Sequence, residues 1–311
     1  MTAVIETRAL TKRYGRRAAL HGIDLTIEPG RVFGLIGPNG AGKTTTMRVL
    51  LDIIRPTSGD VRVLGEHPRR GGTALRRRIG YLPGELAMDH RVSARALLAH
   101  LGELNGGVER GRIDELAQRL GLDLSRPVRA LSKGNKQKVG LVQAFVHRPE
   151  LLILDEPTSG LDPLVQQEFL GLVREARDAG QTVLLSSHVI SEIEHAADEV
   201  AVLRAGRIVE VSPVSRLRAA ARRDARIAVR DADAGDLVAR LRSLGTVHDI
   251  ATSTADGTTT VTAHLSDGLT GFVQAIAGAE VLDLVVQEPD LERTVLAFYG
   301  TGADDAEEVG A

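Results

Sequence analysis

Gly37-Pro38-Asn39-Gly40-Ala41-Gly42-Lys43-Thr44-Thr45 decides how this chain is read. The stretch fits the pattern Gly, four residues, Gly-Lys-Thr, with a second threonine behind it. Glycines let successive backbone N–H groups turn inward and form a concave nest for phosphate oxygens. In such a loop Lys43 reaches the terminal phosphates and the Thr44 hydroxyl can ligate Mg²⁺. Residues 32–36, VFGLI, read as a buried strand. Residues 44–54 predict a helix, whose N-terminus favours an anion. Strand, loop and helix in that order are the context this phosphate-binding loop requires, which a Gly-rich turn matching by chance would not need.

Leu151-Leu152-Ile153-Leu154-Asp155-Glu156-Pro157 is an apolar run ending in two carboxylates. In phosphate-loop enzymes the first acid at such a strand end holds Mg²⁺, usually through water, and the next can polarise the attacking water. Ligands of open α/β sheets bind at the carboxyl ends of strands, where these acids fall. The plainer reading is a strand ending in a solvated acidic turn, and the phosphate loop argues against it.

The 311 residues suffice for one large domain and a smaller one, and 43% of them are apolar. A formal net charge of -2 exerts no general pull on nucleic acid. The chain has no cysteine, so disulfides and thiolate metal sites are excluded. The first residues lack the apolar core of a signal peptide. No run approaches the ~20 apolar residues needed to span a bilayer, so work at a membrane would go through a partner.

Apolar runs at 32–36, 79–82, 151–154, 183–186 and 200–203 are continuous rather than alternating, as parallel strands covered on both faces require. The more mixed runs at 4–10, 25–27, 61–64 and 208–211 suit an antiparallel flank. Further helices are predicted at 93–104, 112–120, 136–146, 163–179 and 189–197. Ser212-Pro213 marks a boundary, since proline restricts the residue before it. Beyond a helix at 214–222, strands at 226–230, 247–252, 259–265 and 281–287 and helices at 234–244 and 269–277 follow the order β-α-β-β-α-β, with a last helix at 290–299. The small, acidic stretch 301–311 predicts a flexible tail.

Leu131-Ser132-Lys133-Gly134-Asn135-Lys136-Gln137 lies just upstream of the acidic strand. Here the chain resembles the ATP-binding cassette family, whose signature commonly reads Leu-Ser-Gly-Gly-Gln. Leu131, Ser132 and Gly134 match, while Lys133 and Asn135 depart in a way that resembles ABC-2-type exporter subunits. A Ser hydroxyl, a Gly N–H and a helix N-terminus suit a second anion site; a helix cap at Ser132 with no ligand is the plainer alternative. The resemblance runs from residue 3 to about 211. Ser159-Gly160-Leu161-Asp162 resembles the D-loop, with Asp162 coupling two sites across a dimer. His188 resembles the switch histidine that contacts the γ-phosphate, and Tyr14 the aromatic that stacks on adenine. One departure is plain. After Tyr81-Leu82-Pro83, where the family usually carries a Gln as a metal and water contact, this chain has Gly84 and then Glu85. Gly84 has no side chain to ligate with, so Glu85 or water takes that place.

The resemblance implies an α/β phosphate-loop NTPase cassette over 1–212. It would have a RecA-like core, an antiparallel β flank and a helical signature subdomain at about 86–147. A small α+β accessory domain would occupy 213–300. Two cassettes, read as copies of one chain, would meet head to tail with ATP between the loop of one and Ser132 and Gly134 of the other. Gly37, Pro38, Asn39, Gly40, Ala41, Gly42, Lys43, Thr44 and Thr45 would cradle the phosphates, and Thr44 and Asp155 would hold Mg²⁺. Lys43 and His188 would stabilise charge on the γ-phosphate while Glu156 orients or deprotonates water. The motion would pass to a separate integral-membrane permease, which places the chain peripherally on the cytoplasmic face of the membrane. Gln287-Glu288-Pro289-Asp290-Leu291-Glu292 resembles the accessory-domain ending of drug and antibiotic exporter ATPases, which points to a hydrophobic small molecule as cargo.

Two other classes remain open on the sequence. A soluble ABC-type regulatory or mechanical ATPase typically carries two cassettes in one chain or a long coiled-coil insertion, and neither is seen here. An unrelated phosphate-loop kinase would need neither the signature nor the His188 region. The basic clusters at 69–78 and 216–226 read as solvated, salt-bridged faces, with anionic lipid headgroups as the alternative. Neither has the aromatic interleaving of a nucleic-acid groove, so no nucleic-acid partner is expected.

Overall fold

The computed structural model describes residues 2–220, 223–266 and 269–287. The chain divides between Val214 and Ser215 into two compact units.

In the first unit a hairpin of β1 (Ile5–Tyr14) and β2 (Arg17–Ile27) is joined by β4 (Ser58–Val63) on the other side of β1, all antiparallel. The main sheet contains β3 (Val32–Ile36), β5 (Ile79–Leu82), β6 (Leu151–Asp155), β7 (Thr182–Ser187), β8 (Glu199–Arg204) and β9 (Arg207–Pro213). Their order is β5-β6-β7-β3-β8-β9. Every residue of β3, β6 and β7 is buried, which a parallel strand with helices on both faces demands and which the unbroken apolar runs supply. β9 was expected in the antiparallel flank. It instead closes the edge of the main sheet, antiparallel to β8, because a two-residue turn at Ala205-Gly206 folds it straight back.

Helices α1 (Lys43–Leu50), α6 (Pro163–Asp178) and α7 (Ile190–Ala196) alternate with the parallel strands. Helix α2 (Pro68–Arg77) was not expected, since the sequence there reads only as a basic cluster. His67 caps it through Nδ1, and Pro68 opens it. Helices α3 (Ala94–Leu104), α4 (Arg112–Arg119) and α5 (Lys133–Phe145) lie between β5 and β6 in the chain and pack on one another. α5 begins three residues before the expected position 136, because the Ser132 hydroxyl accepts from the Asn135 N–H and so fixes its first turn. Arg119 of α4 joins α6 through its Nε to Glu168 (2.5 Å) and its terminal nitrogens to Glu175 (2.7 Å), and this pairing raises the guanidinium pKa.

A short helix α8 (Val214–Ala220) leads into the second unit. There β10 (Arg223–Arg230), α9 (Asp231–Ser243), β11 (Val247–Ala255), β12 (Thr258–Leu265), α10 (Leu269–Ile276) and β13 (Val281–Val286) follow one another. The order strand-helix-strand-strand-helix-strand is the one expected, and the sheet runs β11-β12-β10-β13 with all neighbours antiparallel. Ile227, Val229, Val261, Leu237, Leu241 and Phe272 form its centre. The expected helix at 290–299 and tail at 301–311 lie outside the described residues.

Phe169 of α6 is 1% exposed and meets Phe145 of α5 edge to face, with centroids 6.4 Å apart and planes at 86°. Phe169→Ala should cost about 3–5 kcal/mol of unfolding free energy in a denaturant titration, since a buried ring leaves a cavity. A loss below about 1 kcal/mol would mean that this contact does not anchor α6.

Candidate active site

The phosphate loop is the turn between β3 and α1, and each of its glycines is there for a backbone reason. A Cβ on Gly37 would stand 2.3 Å from the Leu203 carbonyl oxygen. Gly42 has φ 115°, and a Cβ there would also strike Leu20 at 2.7 Å. Gly42 is the N-cap of α1 and offers no side chain, so the first N–H groups of the helix have no side-chain cap. Those amides face the loop as donors for an anion. Pro38, Asn39 and Gly40 are exposed at the rim, Gly37, Ala41, Gly42 and Lys43 are buried, and Thr44 and Thr45 are half-buried. A cleft of about 180 Å³ is lined by Pro38 through Thr45, by Ala19 and by Glu156.

Lys43 is 6% exposed. Its Nζ donates to the Gly37 carbonyl at 2.6 Å and stands 3.1 Å from Glu156 Oε1. The other Glu156 oxygen, Oε2, lies 2.7 Å from His188 Nδ1. Lys43, Glu156 and His188, drawn from three distant points of the chain, thus form one connected polar series at the cleft. Glu156 is held there in a costly conformation, with φ 49°, in the left-handed region that a non-glycine residue rarely occupies. Its N–H donates to Ser186 Oγ at 3.1 Å.

Asp155, at the last position of β6, is fully buried. Ser186 Oγ donates to its Oδ1 at 2.6 Å, while its Oδ2 is buried with no hydrogen-bond partner among the described residues. An unmet carboxylate oxygen beside a phosphate loop fits a hard cation or its water. The oxygen donors Asp155 and Thr44 suit Mg²⁺, which keeps several waters and takes one or two carboxylates plus phosphate oxygens. No group of three or more His, Cys, Asp or Glu side chains able to hold a metal occurs among the described residues.

The other expected site residues sit away from this cleft lining. Ser132 is exposed at the start of α5. A Cβ on Gly134 would fall 2.6 Å from the Gly160 carbonyl oxygen, so the first turn of α5 lies directly on the Ser159–Asp162 segment. Asp162 is exposed and caps α6, accepting from the Val165 N–H at 3.1 Å. Tyr14, 48% exposed, ends β1 with the Lys12 ammonium 5.0 Å from its ring centroid. Gly84 abuts the buried Asp155 carboxylate: a Cβ there would be 3.2 Å from Asp155 Oδ2. Glu85 is exposed and outside the lining of the cleft.

Two residues of the site carried no role in the sequence reading. Ser186 lies in an apolar strand and serves both carboxylates' residues. Gln137 shares an i, i+4, i+7 stripe with the buried Leu141 and Ala144. A polar residue on an apolar stripe needs a buried partner, and that was the available signal.

The family profile described as ABC transporter matches residues 20–159. The bacitracin transport ATP-binding protein BcrA of Bacillus licheniformis is 33% identical over 306 residues, covering 97% of this chain and 99% of that protein. The daunorubicin resistance ATP-binding protein DrrA3 of Streptomyces coeruleorubidus is 38% identical over 299 residues, covering 93% of each. A solved structure titled as the ATP binding subunit of an ABC transporter superposes with a TM-score of 0.64 at 28% identity, covering 69% of this chain and 92% of that one.

Ser186→Ala removes the donor to Asp155 Oδ1 and the acceptor of the Glu156 N–H together. It should lower the unfolding free energy by about 1–3 kcal/mol, the cost of stranding buried polar groups. Guanidinium titration reads this directly, and an unchanged midpoint would show that water replaces both bonds.

Proposed function

Because the chain belongs to the ABC transporter family, whose ATP-binding subunits hydrolyse ATP to power a membrane permease, we propose that its own cargo is a hydrophobic drug or antibiotic, exported from the cell. The full-length similarity to proteins named for bacitracin transport and daunorubicin resistance favours this cargo class. Among the described residues no helix is long and apolar enough to cross a membrane. In this reading the chain sits peripherally on the cytoplasmic face of the membrane beside its permease, as one of a pair of identical cassettes.

The observation that carries the catalytic reading is the Lys43–Glu156–His188 series at the mouth of the phosphate loop. The α1 amides and the loop backbone bind and orient the triphosphate. Lys43 offsets charge on the terminal phosphates. Glu156, with one oxygen turned to Lys43 and one to His188, accepts a proton from water at the γ-phosphorus, and His188 donates to a γ-phosphate oxygen. Thr44 and Asp155 would hold Mg²⁺, which when bound draws charge from the β- and γ-phosphate oxygens. Ser132 and Gly134, presented at the exposed end of α5, would close on the nucleotide of the partner cassette, with Asp162 beside them. Tyr14 would offer its exposed ring to the adenine.

A soluble regulatory ATPase is the reading this displaces, and purification from membranes separates the two. The chain should co-purify with a polytopic permease, and the candidate drug should raise its ATPase rate. Recovery free of any membrane protein, with drug-insensitive turnover, would favour the soluble reading. Lys43→Ala should abolish ATP turnover; normal turnover would remove the phosphate-loop assignment. Glu156→Gln should keep ATP binding and accumulate an ATP-bound dimer on size-exclusion chromatography. Chelation of Mg²⁺ should stop hydrolysis in the native chain, and turnover in excess chelator would contradict the roles of Thr44 and Asp155.

A further inference from the structure

Gln137 is 4% exposed, yet it stands on the same helix as the exposed Ser132. Its Nε2 donates to two consecutive carbonyls, Glu156 O at 3.2 Å and Pro157 O at 3.0 Å. These are the peptides on the C-terminal side of Glu156. The peptide on its N-terminal side is held from β7, where Ser186 Oγ receives the Glu156 N–H. The Ser159 N–H also donates to Glu156 O, at 3.2 Å, but among the described residues the Pro157 carbonyl has no donor besides Gln137. A left-handed residue persists only where its surroundings over-determine it. Gln137, with the Ser159 N–H, supplies one half of that restraint and Ser186 the other.

The same helix touches the same segment a second time. At Gly134 its first turn lies against the Gly160 carbonyl oxygen, so closely that no side chain fits between. α5 therefore grips residues 156–160 at two heights, three residues apart along the helix, or about 4.5 Å of rise. A rigid helix gripped in this way cannot shift at its Ser132 end while the Glu156 peptide stays still.

We propose that Gln137 is a positioning residue for hydrolysis: it sets the Glu156 carboxylate through the backbone, and it ties that carboxylate to the position of the signature end of α5. Engagement of Ser132 and Gly134 by a nucleotide on the partner cassette would then adjust Glu156 in the cassette that owns the helix. This rests on the reading of Glu156 as the group that orients water.

Gln137→Leu removes the donor at similar volume, and Gln137→Glu keeps the shape while replacing the donor with an acceptor. In the full chain, assayed for ATP hydrolysis and for binding of a fluorescent ATP analogue, each should lower kcat by about tenfold, the equivalent of one buried hydrogen bond. Nucleotide affinity should stay within about twofold, because the loop that binds phosphate is untouched. The Hill coefficient for ATP should fall toward one. A kcat unchanged in both variants overturns the proposal. So does a loss of kcat that is matched by loss of affinity and of melting temperature, which is what a merely structural glutamine would give. If the Leu variant fails to fold, the Glu variant decides alone. Glu156→Gln run in parallel separates the two levels. If it hydrolyses normally, the reading of Glu156 fails; if it is inactive while both Gln137 variants turn over at the native rate, only the positioning role fails.

Discussion

A parallel sheet covered on both faces has no room for polar chemistry along its strands. β3, β6 and β7 are buried at every residue, so polar groups can gather only where these strands end. All three central strands end on the same side because they are parallel. That single constraint brings the phosphate loop after β3, Asp155 and Glu156 at the end of β6, and Ser186 and His188 at the end of β7 into hydrogen-bond range. The site is a consequence of strand direction before it is a consequence of any particular side chain.

The side chains then add two kinds of tension to that frame. Asp155 is a wholly buried carboxylate with one oxygen satisfied by Ser186 and the other unmet. Glu156 sits in a backbone conformation costing on the order of 1–3 kcal/mol, held by bonds on both of its peptides. Both are unfavourable in isolation, and the packing of α5 and β7 offsets them. Such sites stay rigid because releasing one contact exposes an unpaired buried group next to it. The departure at Gly84 belongs to the same economy of space: a Cβ there would crowd Asp155 Oδ2 at 3.2 Å.

Much of this was legible in the sequence, for identifiable reasons. The loop from Gly37 to Thr45, the apolar strand into Asp155 and Glu156, and the β-α-β-β-α-β order of the second unit are local patterns, and local patterns survive in a one-dimensional record. The phosphate cleft does draw together Lys43, Glu156 and the loop. Three features were hidden. Helix α2 begins at a His-Pro pair inside an arginine-rich stretch, where charge masks the apolar stripe. Strand β9 joins the main sheet through a turn, and its mixed sequence does not state which sheet it will join. Gln137 and Ser186 act on the backbone of residues far away in the chain, and no spacing rule in a single sequence encodes such a bond.

The two exposed helix caps differ in what they leave over. The Ser132 oxygen uses a lone pair on the Asn135 amide, so its own hydrogen stays available. Asp162 uses one carboxylate oxygen on the Val165 amide, and the second oxygen stays an acceptor. A group approaching Ser132 therefore meets a hydroxyl whose hydrogen is free to give, and one approaching Asp162 meets a carboxylate that can only receive. A visitor can be accepted there without either helix surrendering its cap, so recognition and helix stability are not in competition.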